Sequence, residues 1–151
     1  MTVRTVGHAG GHLPEGHTAN ECGACQEIAK DNARVFIEQT VLPQLAALRS
    51  NVSGLNGVII PPPWVTEFDR RAAWQPQTSE FDEFTFSHGD LGPQNVLIHP
   101  DTLEVCGVVD WENAGFYPEA CAGQWAVEMG SYYDFYRDEA TFATLISLLG
   151  P

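Results

Sequence analysis

The sequence predicts an α+β fold that is mostly α, and three observations lead there. Residues 21–50 carry apolar side chains at helical spacing, and residues 139–149 do so again. Residues 86–112, FSHGDLGPQNVLIHPDTLEVCGVVDWE, hold two short apolar runs divided by a turn-forming cluster, the pattern of a β-hairpin. The apolar fraction, 44% of 151 residues, is that of a globular chain with room for one domain or for part of a larger one. Helices packed around a single hairpin are the expected architecture.

Residues 1–20 are rich in Gly and His and show no periodicity, so a flexible N-terminal arm is expected, with the domain proper over 21–151. Ile28, Ala29, Ala33, Phe36 and Ile37 form one helical stripe, and Val41, Leu42, Leu45, Ala46 and Leu48 form a second. Pro43 falls early in the second set, so the helix is expected to kink or restart there with Thr40 as N-cap. Asn51, Ser53 and Gly54 end it. Residues 54–80 read as a connector: Val58-Ile59-Ile60 is apolar and Pro61-Pro62-Pro63 forces an extended path. Trp64, Val65, Phe68 and Trp74 are expected to pack an irregular segment onto the domain, and Arg70 and Arg71 to make surface ion pairs.

The strands of the hairpin are predicted at Asn95–His99 and Val105–Asp110. His99-Pro100-Asp101-Thr102 joins them, because proline presets φ and aspartate can bond its own backbone. Asn113–Pro118 reads as a loop, Glu119–Met129 as a helix and Gly130 as an interruption. Tyr132, Tyr133, Phe135 and Tyr136 read as core aromatics, and Glu139–Leu149 as a last amphipathic helix.

Charge narrows the partners. The net charge is −13; residues 1–80 carry eight acids against six bases, and residues 81–151 carry twelve acids against Arg137 alone. Nucleic acid is excluded as a partner, since phosphate contacts need clustered Lys and Arg. No apolar run approaches a membrane span and no apolar leader opens the chain, so a cytoplasmic protein without membrane association is expected. No structural disulfide is expected in that compartment. Cys106, inside an apolar strand, should be a buried thiol, and Cys22 and Cys25 should sit at a helix start with one of them buried. The spacing of His8, His12 and His17 before Cys22 and Cys25 does not match a zinc finger.

The hairpin is where chemistry is expected. Its outer ends come together, so Asp90 and Asn95 before the first strand can converge with Asp110 at the end of the second. Two carboxylates and an amide oxygen make a hard-oxygen set suited to Mg²⁺, with one carboxylate left to accept a proton. His88 is placed to fix the loop by hydrogen bonds, Gly89 to permit a tight backbone, and Trp111 to pack inward and set the angle of Asp110. Asp and Asn at such positions are equally good turn residues, and spacing alone leaves both readings open.

HGDLGPQN followed by VVDWENAGFYPE resembles the catalytic core of the aminoglycoside phosphotransferase family, which is kinase-like in fold and is also similar to choline kinases. The family pattern is matched by His88, Gly89, Asp90, Asn95, Asp110 and Trp111, and the style of IPPPW and WENAGFYPE is similar to fungal members. The resemblance covers roughly residues 35–120. It implies the C-terminal lobe of a kinase-like fold, with ATP and Mg²⁺ as cofactors and the hydroxyl of a small molecule as acceptor. It also implies Asp90 as catalytic base and Asn95 and Asp110 as Mg²⁺ ligands.

Family members also carry an N-terminal lobe with a phosphate-covering loop and a lysine. Here the one lysine, Lys30, lies in a predicted helix, and VGHAGGH lacks the residues of a phosphate loop. The expectation is therefore a catalytic lobe alone, with apolar surface left for self-association. Three functional classes follow: a small-molecule kinase that is incomplete in this chain, an inactive kinase-like remnant that binds Mg²⁺ or a protein partner, or a zinc- or partner-binding module that uses Cys22, Cys25 and the N-terminal histidines.

Overall fold

A single long helix and the hairpin it lies against form one half of the core. The computed structural model describes residues 18–135 and 138–150. Helix α1 (Gly23–Phe36) buries Ala29 and Ala33 on one side. These small residues, with Ile37, let the helix sit closely on Leu91, Val96 and Ile98. The hairpin strands are β3 (Val96–Ile98) and β4 (Val105–Val108), antiparallel, with Val96 opposite Val108 and a bulge between Leu97 and Ile98. Asn32 Nδ2 donates to the carbonyl of Leu103 and ties α1 to the hairpin turn. The arm, residues 1–17, with His8, His12 and His17, lies outside the described residues.

The helix does not restart at Pro43 under a Thr40 cap: it passes into its next segment through a π-helical turn. Pro43 has no N–H to give to the carbonyl four residues back, and the preceding turn, Ile37–Val41, widens to a π-helix. The continuation, α2 (Leu42–Ala46), has no side-chain cap. It runs into a two-residue strand, β1 (Arg49–Ser50). The connector holds a short helix, α3 (Pro63–Phe68), begun by proline at the position where a missing N–H costs nothing. Arg71 pairs with Asp69, its neighbour, rather than with the acidic half; its guanidinium also lies 3.9 Å from the Trp74 ring centre.

A second sheet escaped the sequence reading. β2 (Phe84–Ser87) pairs with β1 on one side and with β5 (Gly115–Pro118) on the other, both antiparallel. The predicted loop over Asn113–Pro118 is thus largely strand. Gly115 and Tyr117 face inward in alternation, and Phe116 meets Phe86 across the pair edge-on at 5.2 Å. Tyr117 belongs to the other half of the core, with Ile59, Trp64, Val65, Trp74, Phe142, Leu145 and Leu149. The last helix, α5 (Glu139–Leu148), supplies Phe142 and Leu145, Leu149 follows as its C-cap, and Asp138 caps its start by accepting from the Thr141 N–H at 3.2 Å.

Three further expectations need correction. Glu119–Met129 is not a helix: a short 3₁₀ turn (Glu119–Cys121) gives way to irregular chain in which Gly123 takes φ +73°, outside helical space. The helix begins later, as α4 (Met129–Phe135), with Gly130 inside it. Cys106 is exposed, because the two-stranded hairpin packs only one face on α1, the face that carries Val105 and Val108. Of the expected core aromatics, Tyr132 is half-buried and Tyr133 exposed, while Tyr136 lies outside the described residues. Cys25 is buried at the start of α1, as expected, and Cys22 is half-buried. Among the described residues no helix is long and apolar enough to cross a membrane.

Candidate active site

The chain leaves β2 at Ser87 and turns sharply through His88-Gly89-Asp90. Gly89 has φ +83°, where a side chain is strained, and a Cβ there would lie 2.3 Å from the carbonyl oxygen of Asn113. That neighbour is itself fixed. Asn113 is buried, its Nδ2 donates to Pro61 O at 2.8 Å, and its carbonyl oxygen is 2.7 Å from the Tyr117 hydroxyl. The tight turn therefore sets the Asp90 loop directly on an anchored segment.

Beyond Asp90 a 3₁₀ turn, Pro93–Asn95, folds the chain back on itself. Asn95 is 5% exposed; its Nδ2 donates to the Asp90 carbonyl at 2.8 Å and to the Asp90 carboxylate at 3.2 Å. An amide that donates on that side keeps Oδ1 as an acceptor for a different partner. The carbonyl of Asn95 accepts from the Val109 N–H at 2.9 Å. Val109 O in turn lies 2.9 Å from His88 Nε2. The residue before Asp110 is thus held by Asn95 on one side and His88 on the other. Asp110 itself is exposed and has φ +66°, a left-handed conformation that Asp tolerates better than most residues.

His88 is the pin between the two ends of the hairpin. A carbonyl can only accept, so Nε2 carries the proton, and Nδ1 is left to accept the Asp90 N–H at 3.3 Å. Burial lowers the pKa of His88 below its usual 6.5, against the opposing pull of the Val109 carbonyl and of Asp90 and Asp110. A depressed histidine pKa means that the unfolded chain takes up the proton first. Stability from neutral His88 is then full above the unfolded value and is lost as pH falls through the folded one. Denaturant unfolding is expected to show stability falling as pH drops below the usual histidine value of 6.5, and the His88→Asn variant a shallower fall. Equal slopes would show that His88 is not the titrating pin. Trp111 sits beside it, ring centres 4.5 Å apart, with Nε1 donating to Val108 O at 2.9 Å. Trp111 is 39% exposed, so it lies over the histidine rather than packing fully inward.

Asp90 opens onto a cavity of about 400 Å³. Its wall includes Glu38, Trp64, Leu91, Trp125 and Tyr132, and the Tyr132 hydroxyl donates to Asp90 Oδ1. None of these five was singled out for the site by sequence. Trp64 and Tyr132 read as packing residues, and nothing in their spacing links them to a loop some thirty or forty positions away. Lys30 is elsewhere on α1, paired with Glu27 at 2.7 Å and Glu128 at 2.9 Å. No Lys or Arg among the described residues lines the cavity.

Among the described residues no cluster of three or more His, Cys, Asp and Glu side chains could hold a metal ion by itself. A divalent ion at the hairpin would combine the Asp110 carboxylate and the Asn95 amide oxygen with oxygens from elsewhere. That donor chemistry suits Mg²⁺, which is commonly held by one or two carboxylates plus substrate phosphates and water. Residues 19–127 match the sequence model of the phosphotransferase enzyme family. No curated protein and no solved structure matches the chain.

Proposed function

Because the chain belongs to the phosphotransferase enzyme family, we propose that its hairpin is the phosphoryl-transfer site of an ATP-dependent small-molecule kinase that acts on a hydroxyl. The observation that carries this reading is the mutual clamping of the hairpin ends: Asn95 holds Asp90 and Val109, and His88 holds Val109 and the Asp90 backbone. Phosphoryl transfer is a matter of positioning and charge more than of covalent chemistry, and such a clamp is what positioning requires. The reading also fits a kinase-like lobe built on α1 and the hairpin.

Asp90 faces the cavity and is the group that accepts or orients the acceptor hydroxyl proton. Asn95 holds the carboxylate of Asp90 on the cavity side, and neutral His88 keeps the Asp90 backbone in register with Val109. Asp110 and Asn95 Oδ1 would hold Mg²⁺. When bound, Mg²⁺ neutralises charge on the ATP phosphates. Leu91 and Trp64 form an apolar wall that limits water beside the transferred group.

The test separates the two carboxylates. In the Asp110→Asn variant, half-maximal ADP release is expected to need about tenfold more Mg²⁺, the scale of a weakened ligand set. Asp90→Ala should lower the plateau and leave the Mg²⁺ midpoint in place. An unchanged Mg²⁺ midpoint in Asp110→Asn would remove Asp110 from the ligand set. A second reading, a remnant that binds Mg²⁺ or a protein partner and transfers nothing, is favoured by Lys30, which is held in ion pairs away from the cavity. Wild-type chain that binds Mg²⁺ but releases no ADP from ATP would select it.

A further inference from the structure

The wall of the Asp90 cavity carries information about the acceptor. Trp64, Leu91, Trp125 and Tyr132 give it apolar and aromatic surfaces, and Glu38, at the exposed rim, is the one carboxylate besides Asp90 among its described lining residues. A polycationic acceptor would need several carboxylates around its body, and this wall does not provide them. The Tyr132 hydroxyl already donates to Asp90 Oδ1, so an aromatic O–H rests on the carboxylate proposed as the base. The approach is built into the loop: Gly92 is buried, and a Cβ there would lie 2.8 Å from Tyr132 Cδ2. The Gln94 side-chain amide, 2.3 Å from the same point, lies closer still, so a side chain at Gly92 would crowd both.

We infer that the acceptor is an alcohol with an apolar or aromatic body, and that Tyr132 is its built-in stand-in, holding the hydroxyl position on Asp90 until the substrate displaces it. The inference rests on the phosphotransfer reading for the role of the hydroxyl. The volume of the cavity, about 400 Å³, is within the usual range for a small-molecule site. On this account the incoming hydroxyl replaces the phenol at Asp90, and the ring of Tyr132 turns aside as part of the wall. Tyr132 is a specificity residue and takes no part in the transfer itself.

The test is a nucleotide-free titration of the full chain, followed by tryptophan emission, since Trp64 and Trp125 line the cavity. The probes are 2-phenylethanol, ethylbenzene (the same body without the hydroxyl) and choline. Tyr132→Phe is expected to tighten 2-phenylethanol roughly tenfold, the worth of one charge-assisted hydrogen bond no longer to be displaced, and to leave ethylbenzene unchanged. Asp90→Asn, which keeps the shape of the site, should weaken 2-phenylethanol and spare ethylbenzene. Preference for choline, or identical 2-phenylethanol affinity in wild type and both variants, would overturn the inference. Binding is read without ATP, so the two proposals can fail separately. Probe binding without any ADP release counts against the catalytic reading alone; transfer with cations preferred counts against the acceptor class alone.

Discussion

Asp90→Ala is expected to lower acceptor-dependent ADP formation from Mg²⁺-ATP by roughly 10²–10⁴-fold, the range that a positioned general base contributes. The expectation rests on where the carboxylate sits. Asp90 borders the cavity, accepts from the Tyr132 hydroxyl, and is steered by the Asn95 amide at 3.2 Å. The loss should fall on kcat, with KM for ATP little changed, since the proposed role of Asp90 is toward the acceptor hydroxyl rather than the nucleotide. Asp90→Asn tests charge apart from shape. It should be nearly as inactive while melting close to wild type, since an amide fills the same space. Turnover within a factor of two of wild type in either variant would remove Asp90 from the chemistry and leave the hairpin as a structural motif.

The parts of this site legible in the sequence are those made by local chain. His88 to Trp111 closes through one short hairpin, so the order of residues and a turn cluster suffice to bring Asp90, Asn95 and Asp110 to one end. The helix at Glu139–Leu149 was equally plain, being a periodic apolar run, and the structure forms it over Glu139–Leu148. What could not be read depends on partners distant in the chain. β5 is a strand only because β2, some thirty residues earlier, offers it an edge, and four residues ending in proline carry little signal alone. Glu119–Met129 has helical composition, but the chain is drawn out along the cavity and turns at Gly123. Tyr132, just beyond that stretch, reaches the Asp90 loop through its hydroxyl. The residues proposed for the chemistry are thus local in sequence, whereas the cavity wall is assembled from residues distant in the chain.

Gly89→Ala is expected to cost about 2–4 kcal/mol of stability: part from forcing a side chain to positive φ, part from overpacking against backbone. Both causes act at one place. The backbone there has φ +83°, and the added methyl would meet Asn113 O at 2.3 Å and Asn113 Cβ at 2.8 Å. Asn113 cannot retreat cheaply, because its side chain is bonded to Pro61 O and its carbonyl oxygen to the buried Tyr117 hydroxyl. If the loop yields instead, Asp90 moves relative to Asn95 and His88, and a displacement of about 1 Å at a reacting group can cost on the order of 10²-fold in rate. Either route is measurable: a lowered urea midpoint if the strain is kept, or near-normal stability with collapsed turnover if it is released. Gly107→Ala is the control. It lies in β4 of the same hairpin, its added Cβ meets nothing within 4 Å, and it should leave both stability and turnover close to wild type. Should Gly89→Ala match that control in both measurements, the tight approach of the Asp90 loop to Asn113 would have no part in holding the site.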